Sequence, residues 1–245
     1  MNRTSLFLAF CFVIVLTGCE LLPTYIVNDL NIIQGYGYDL SKNNKLKGIF
    51  LYPVYKGPNE PPTIETITGN GETSKQARSD ANMKVRHPLV SGQIRLLVLG
   101  KSLSEKGIYP VMDTINRDPA IGTLIQIAIV DGQTKDILTL KSKKKENIAL
   151  YIQEMLVQNM EMGKIVKTDF NTFMYQYFQK GKDPYLPIIK KEKDEIMISS
   201  LGIFKKDQLK TEISKEEFFI FKCLVEKFEQ AIQQFTLKNG EKLVI

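Results

Sequence analysis

Gln93-Ile94-Arg95-Leu96-Leu97-Val98-Leu99 is almost wholly apolar from Leu96, and Thr123-Leu124-Ile125-Gln126-Ile127-Ala128-Ile129-Val130 repeats the pattern further on. A strand with one wet face alternates polar and apolar residues. Runs without that alternation predict strands buried on both faces, as in parallel sheets. Between the two, Leu103 to Ile115 sets Ile108, Val111, Met112 and Ile115 at helical spacing, and Arg117-Asp118-Pro119 ends the helix. Asp131-Gly132 closes the second strand with a turn. Upstream, Gly69-Asn70-Gly71 is expected to turn the chain into a helix from about Thr73 to Val85, stopped at His87-Pro88. Helix, strand, helix, strand from Gly69 to Gly132 predicts a mixed arrangement of strands and helices.

Working outward, Asn28 to Asp39 predicts a strand and then a turn at Gly35 and Gly37, with Lys45 to Tyr55 as its partner. Pro58, Pro61 and Pro62 punctuate a loop before a third strand, Thr63 to Thr68. On the other side, Glu146 to Met160 is amphipathic through Ile148, Ile152, Met155 and Leu156. Thr168 is expected to cap a helix carrying Phe170, Phe173, Met174, Tyr177 and Phe178. Gly181-Lys182-Asp183-Pro184 is polar and helix-breaking, and sets the expected domain boundary. Two strands follow, Tyr185 to Lys190 and Glu195 to Phe204. Ser214-Lys215-Glu216-Glu217 has the spacing of a capping box. It opens a helix expected to group Phe221, Leu224, Val225, Phe228, Ile232 and Phe235 on one face, and Asn239-Gly240 leads into a last short strand. The fold class expected is α+β, with mixed sheets and packed helices. Two domains are expected, residues 19–182 and 183–245.

The N-terminus reads differently. Met1-Asn2-Arg3 is a short positive stretch before an apolar run from Leu6 to Leu16. That run is too short to span a roughly 30 Å hydrocarbon core but suits a signal peptide. It ends in Leu16-Thr17-Gly18-Cys19, which resembles the lipobox of bacterial lipoproteins, in which cleavage precedes the cysteine and its thiol is acylated. Residues 1–18 are then the signal and Cys19 the lipidation site. A buried helix ending in Gly-Cys, or a secreted chain cut elsewhere, are the competing readings.

The composition narrows the chemistry. Over 245 residues, 43% hydrophobic and 24% charged content excludes disordered, collagenous and polytopic membrane classes. A single histidine leaves no His-rich zinc site, and three cysteines allow no disulfide scaffold. The formal charge of +6 permits attraction to an anionic surface without demanding nucleic acid. His87, before a proline, reads as a turn residue. Cys223, near the apolar face of the last helix, reads as a small core hydrophobe. Gly35-Tyr36-Gly37 lacks the third glycine of a dinucleotide fingerprint, and Gly69–Ser74 lacks the lysine of a P-loop. The lysine runs at 141–145 and 190–193 read as solvated faces, with lipid headgroups as the alternative. No catalytic, metal or cofactor site is expected.

The pattern resembles a family, the C subunit of spore germinant receptors, the Ger(x)C lipoproteins. Asn28-Asp29-Leu30 with Gly35-Tyr36-Gly37-Tyr38-Asp39 is similar to its opening strand and Gly-x-Gly-x-Asp turn, and Thr68-Gly69-Asn70-Gly71-Glu72-Thr73 to the glycines before its first helix. The block from Gly92 to Pro119 resembles its apolar strand ending in glycine, its helix containing Gly107-Ile108 and its Arg117-Asp118-Pro119 stop. Ser200 to Leu209 resembles its Gly-x-x-Phe-Lys-x-Asp-x-Leu hairpin. Glu20-Leu21 stands where the family commonly has Trp-Asp. The resemblance implies a non-enzymatic lipoprotein on the outer face of the spore inner membrane, associated with integral-membrane A and B subunits in a receptor that responds to small nutrients. It also implies a longer C-terminal region, so the second domain is expected to be incomplete. A lipoprotein that binds a small nutrient directly is the second functional expectation.

Overall fold

The computed structural model describes residues 29–55, 57, 60–122, 124–140 and 147–227, with backbone alone for 234–236 and 242–244. The two apolar runs form β6 (Leu96–Gly100) and β7 (Gln126–Val130), and their side chains are buried on both faces. Such strands need neighbours on each side and helices above and below. They sit at the centre of an eight-stranded sheet of order β10-β9-β8-β7-β6-β2-β3-β4. The centre is parallel: β2 (Gly35–Leu40) pairs with β6, β6 with β7, and β7 with β8 (Tyr185–Glu192). Each edge is an antiparallel extension, β3 (Leu46–Val54) and β4 (Thr63–Gly71) on one side, β9 (Glu195–Lys205) and β10 (Gln208–Ile213) on the other. β1 (Asn31–Ile32) and β5 (Leu89–Val90) form a small parallel pair, as β11 (Gln234–Thr236) and β12 (Lys242–Val244) form an antiparallel one.

Helices cover both faces. On one, Tyr36, Phe50, Leu97, Ile127, Leu186 and Phe204 pack with residues of α1 (Ser74–Asn82), α3 (Tyr109–Asn116) and α6 (Phe170–Phe178). On the other, Leu51, Val98, Ala128 and Ile189 pack with α4 (Thr134–Leu138), α5 (Ile148–Glu161) and α7 (Phe218–Val225). The expected α+β class of mixed strands and packed helices holds. The expected boundary at 182/183 falls in the turn between α6 and β8. Strand β8 then joins β7 in the same sheet.

Several local expectations change. Gly35 and Gly37 lie inside β2, and Gly69 and Gly71 inside β4, because they supply close approach rather than turns. A Cβ on Gly69 would stand 1.9 Å from the Ala77 carbonyl oxygen and 2.7 Å from the Ala81 nitrogen, so α1 rests directly on the strand. The expected helix Leu103 to Ile115 is two helices, α2 (Lys101–Lys106) and α3, broken at Gly107 with φ +134°. The signal was present: Pro110 stands in the first turn of α3, where its missing N–H costs nothing. Asp169, not Thr168, caps α6, accepting from the Thr172 N–H at 2.6 Å, while Thr168 is buried and donates to the Tyr185 carbonyl at 3.2 Å. β10 completes the hairpin that the family resemblance implied, turning at Lys206 with φ +59°.

The last helix departs most. Its capping box is present, with the Ser214 N–H bonded to Glu217 at 3.0 Å. The helix it introduces buries Phe218 and Lys222 and sets Phe221 partly buried, edge-on to Tyr185 at 5.4 Å, but Leu224 is 79% exposed and Val225 is exposed beside it. The cause is polar. Lys222 Nζ donates to the Ile165 carbonyl at 3.3 Å and pairs with Glu226 at 2.9 Å, and Glu226 in turn accepts the Lys167 N–H. This lysine–carbonyl–carboxylate joint sets the rotation of α7. Cys223 is exposed rather than packed. Phe235 lies in β11, not on a continuing helix. Phe228, Ile232 and the lysine run at 141–145 lie outside the described residues.

Two outcomes follow. Gly69→Ala should lower the urea midpoint by the equivalent of about 3 kcal/mol, since backbone on both sides cannot give way, whereas Gly122→Ala, with open space around it, should not. In a chain carrying Cys11→Ser and Cys19→Ser, Cys223 should react with a thiol reagent as readily in native buffer as in denaturant. Strong native protection would contradict the orientation of α7.

Candidate functional site

In a parallel sheet flanked by helices, strand carboxyl ends and helix N-termini gather along one margin, where such folds bind ligands. Here that margin holds Asp39 at the end of β2, Gly100-Lys101 at the passage from β6 to α2, and Asp131 and Thr134 after β7. Asp39 is 2% exposed. Its carboxylate accepts the Thr134 N–H at 3.1 Å on both oxygens and the Thr134 hydroxyl at 2.7 Å. Gly100 makes room for it, since a Cβ there would meet Asp39 Oδ1 at 2.4 Å. Burial raises the Asp39 carboxyl above its ordinary value, and the bonds from Thr134 pull it partly back. Lys101 turns the other way, to Glu212 at 2.5 Å and Asp131 at 3.8 Å, and the hydrogen bond it donates to Glu212 raises its pKa. Ser200 Oγ completes the group, donating to Glu212 at 2.6 Å.

Two more polar joints lie on the opposite layer. The Tyr36 hydroxyl and Ser91 Oγ are 2.6 Å apart, Arg78 donates to Ser91 at 2.5 Å and pairs with Asp118 at 3.2 Å. Burial pushes the Tyr36 hydroxyl up. The cavity that Tyr36, Arg78 and Asp118 bound with Tyr38 and Ser74 is about 10 Å³, room for one water rather than an amino acid or sugar. In the other joint, Asp207 receives the Ile108 N–H on its carbonyl at 3.0 Å and the Tyr109 N–H on Oδ2 at 3.1 Å. Gln208 Nε2 donates to the Lys106 carbonyl at 3.0 Å.

The residues that carry the family resemblance therefore meet in pairs. Asp39 of the first motif fits against Gly100, which ends the strand of the second. Gly107-Ile108 is held by Asp207 of the hairpin motif, and Asp118 of Arg-Asp-Pro is held by Arg78. Each carboxylate is engaged in joining two elements, an arrangement that fixes backbone geometry. Of the residues singled out in sequence, Cys19 lies outside the described residues. His87 is half-buried in the turn after α1, where its carbonyl accepts from Asn31 at 2.8 Å. Lys190 to Lys193 lie at the tip of the β8–β9 hairpin, with Lys190 3.7 Å from Glu192. Among the described residues no group of three or more His, Cys, Asp or Glu side chains could hold a metal ion. Arg78 and Thr134 were missed because their partners lie far away in sequence.

Asp39 carries a pH signature of defined sign. Its native pKa lies above the ordinary carboxylate value, so between the two the native state holds a proton that the unfolded chain has released. Ionised Asp39 thus costs stability at neutral pH, and that cost disappears as pH falls through the native pKa. Asp39→Asn cannot titrate. Measured by urea unfolding from pH 7 to about pH 4, stability should shift in favour of the wild type relative to Asp39→Asn. Asp39→Ala should cost about 2 kcal/mol at pH 7, because Thr134 loses its buried acceptor, and more as the pH falls and the wild type gains stability.

With this geometry in hand, comparison with known proteins is direct. The family model described as the spore germination protein N-terminal domain matches residues 24–191. Spore germination protein GerQC of Bacillus cereus is 32% identical over 240 residues, covering 98% of this chain and 66% of that protein. The putative spore germination protein YfkR of Bacillus subtilis (strain 168) is 25% identical over 158 residues, covering 61% of this chain and 40% of that one. The chain thus spans less than two thirds of the length of either relative. The crystal structure of the GerBC protein superposes with a TM-score of 0.42 at 18% identity, covering 86% of this chain and 61% of that one. With that domain model matched from ahead of β1 to within β8, over more than half of its length, the chain belongs to the Ger(x)C family of spore germination proteins.

Proposed function

We propose that the protein is a lipid-anchored accessory subunit of a nutrient germinant receptor, working through protein contacts on the outer face of the spore inner membrane. The observation that carries this reading is the family match over residues 24–191, directly downstream of the Leu16-Thr17-Gly18-Cys19 lipobox. Cys19 is the proposed acylation site, and residues 1–18 the signal that is removed. The proposed partners are the integral-membrane A and B subunits of the receptor, and the role is non-catalytic. The pairwise engagement of the motif residues supports this, since it places their chemistry in joints between elements. Among the described residues no helix is long and apolar enough to cross a membrane.

Metabolic labelling with a palmitate analogue should mark the wild type and spare Cys19→Ala; equal labelling of both would remove the anchoring proposal. Isolated from spore membranes in mild detergent, the wild type should bring the A and B subunits with it, and a clean preparation free of both would count against the receptor assignment.

A further inference from the structure

Among the exposed surfaces of the described residues, the C-terminal end of α6 gathers aromatic rings. Tyr109 and Tyr177 stack with centroids 4.8 Å apart and planes at 17°, and Phe178 meets them edge-on at 6.3 and 5.0 Å. Beneath this group, the Tyr109 N–H is held by Asp207 and its hydroxyl donates to Asp113 at 3.2 Å. Asp113 is also paired with Arg117 at 2.9 Å. The carboxylates under the platform are therefore engaged. Outward, Phe178 is 64% exposed and Tyr175 57% exposed, at the C-terminal end of α6. Lys182 Nζ lies 4.8 Å from the Tyr175 ring centre, and Gln179, Lys180 and Lys182 are all exposed, with Asp183 the adjoining acid.

Phe170, Phe173 and Met174 already supply the core face of α6, so Tyr175 and Phe178 are surplus to packing. Lysines after the last helical turn complement the helix dipole, which accounts for their charge but not for the aromatic rings beside them. Exposed aromatic rings flanked by lysine are the chemistry of a lipid interface: rings settle at headgroup depth, and ammonium groups meet anionic phosphates. A protein-binding hot spot would favour arginine and exclude lysine from its centre. We infer that Tyr175, Phe178, Lys180 and Lys182 form a membrane-contact patch that seats the folded body on an anionic bilayer. This inference goes beyond the proposed anchoring and does not require acylation of Cys19.

The chain contains no tryptophan, so one can be placed as a local probe that does not report on the N-terminus. In the full chain, Phe178→Trp should shift its emission to the blue on adding phosphatidylglycerol-containing vesicles and should be quenched by brominated acyl chains. Vesicles of phosphatidylcholine alone should do neither. Adding Lys180→Glu and Lys182→Glu should raise the lipid concentration needed by about tenfold or more. A Tyr55→Trp probe, exposed at the end of β3, should stay silent. Unchanged Phe178→Trp emission, an equal response to uncharged vesicles, insensitivity to charge reversal, or a concentration-dependent shift without vesicles would each overturn the patch; the last would indicate a protein contact. Because the probe reads α6 and the palmitate analogue reads Cys19, either result can fail without the other.

Discussion

The buried carboxylate of Asp39 is the constraint on which the central sheet depends. A charged group at 2% exposure is tolerable only where hydrogen bonds replace its water. Thr134 supplies three such contacts from the first turn of α4. The same carboxylate touches the position where Gly100 carries no side chain, so the ends of β2 and β6 can lie side by side at the parallel register Gly35↔Leu96 to Tyr38↔Leu99. One acid thus couples two neighbouring strands and the helix laid over them. Gly37, on the same strand, leaves space for α4: a Cβ there would stand 2.7 Å from both Leu138 and Thr134. Strand spacing, helix placement and a buried charge are consequently one problem with one solution.

The two margins of the sheet are completed by local hairpins. β2–β3, β8–β9 and β9–β10 turn through Asn44, Lys193 and Lys206, each with positive φ near 60°. Such turns commit successive strands to antiparallel pairing, whereas the parallel centre requires helical crossovers. The β10 side is further fixed from within, by Asp207 holding the start of α3 and by Glu212 holding Lys101 at the start of α2. The hairpin beyond residue 184 is therefore structural to the first half of the chain. The polar, proline-bearing turn at 181–184 thus stands between α6 and a strand of the same sheet.

What was legible in the sequence is what depends on short-range pattern. The unbroken apolar runs of β6 and β7 indicated burial on both faces, and 3.6-residue spacing located α3 and α5. Ser214 and Glu217 showed their capping box outright. What was not legible depends on partners distant in sequence. Glycine signals freedom to turn and freedom for close approach with the same letter, and only α1 lying on β4 reveals which one Gly69 provides. The rotation of α7 could not be read from its hydrophobic spacing, because Lys222 finds a carbonyl at Ile165 and a carboxylate at Glu226. Of Cys19, the proposed lipidation residue, the motif alone speaks.

The family motifs, met first as scattered strings, have a common physical role in this chain. Asp39 with Gly100, Gly107-Ile108 with Asp207, and Asp118 with Arg78 each join elements that no local interaction would bring together. Catalytic carboxylates characteristically sit in a cleft with unmet hydrogen-bonding capacity and room for a substrate. Here the motif carboxylates are bonded to protein N–H groups, a threonine hydroxyl or a guanidinium, and the cavity beside Arg78 has the volume of one water. Residues so committed specify a shape. The aromatic end of α6 is a feature of that shape which the core does not explain.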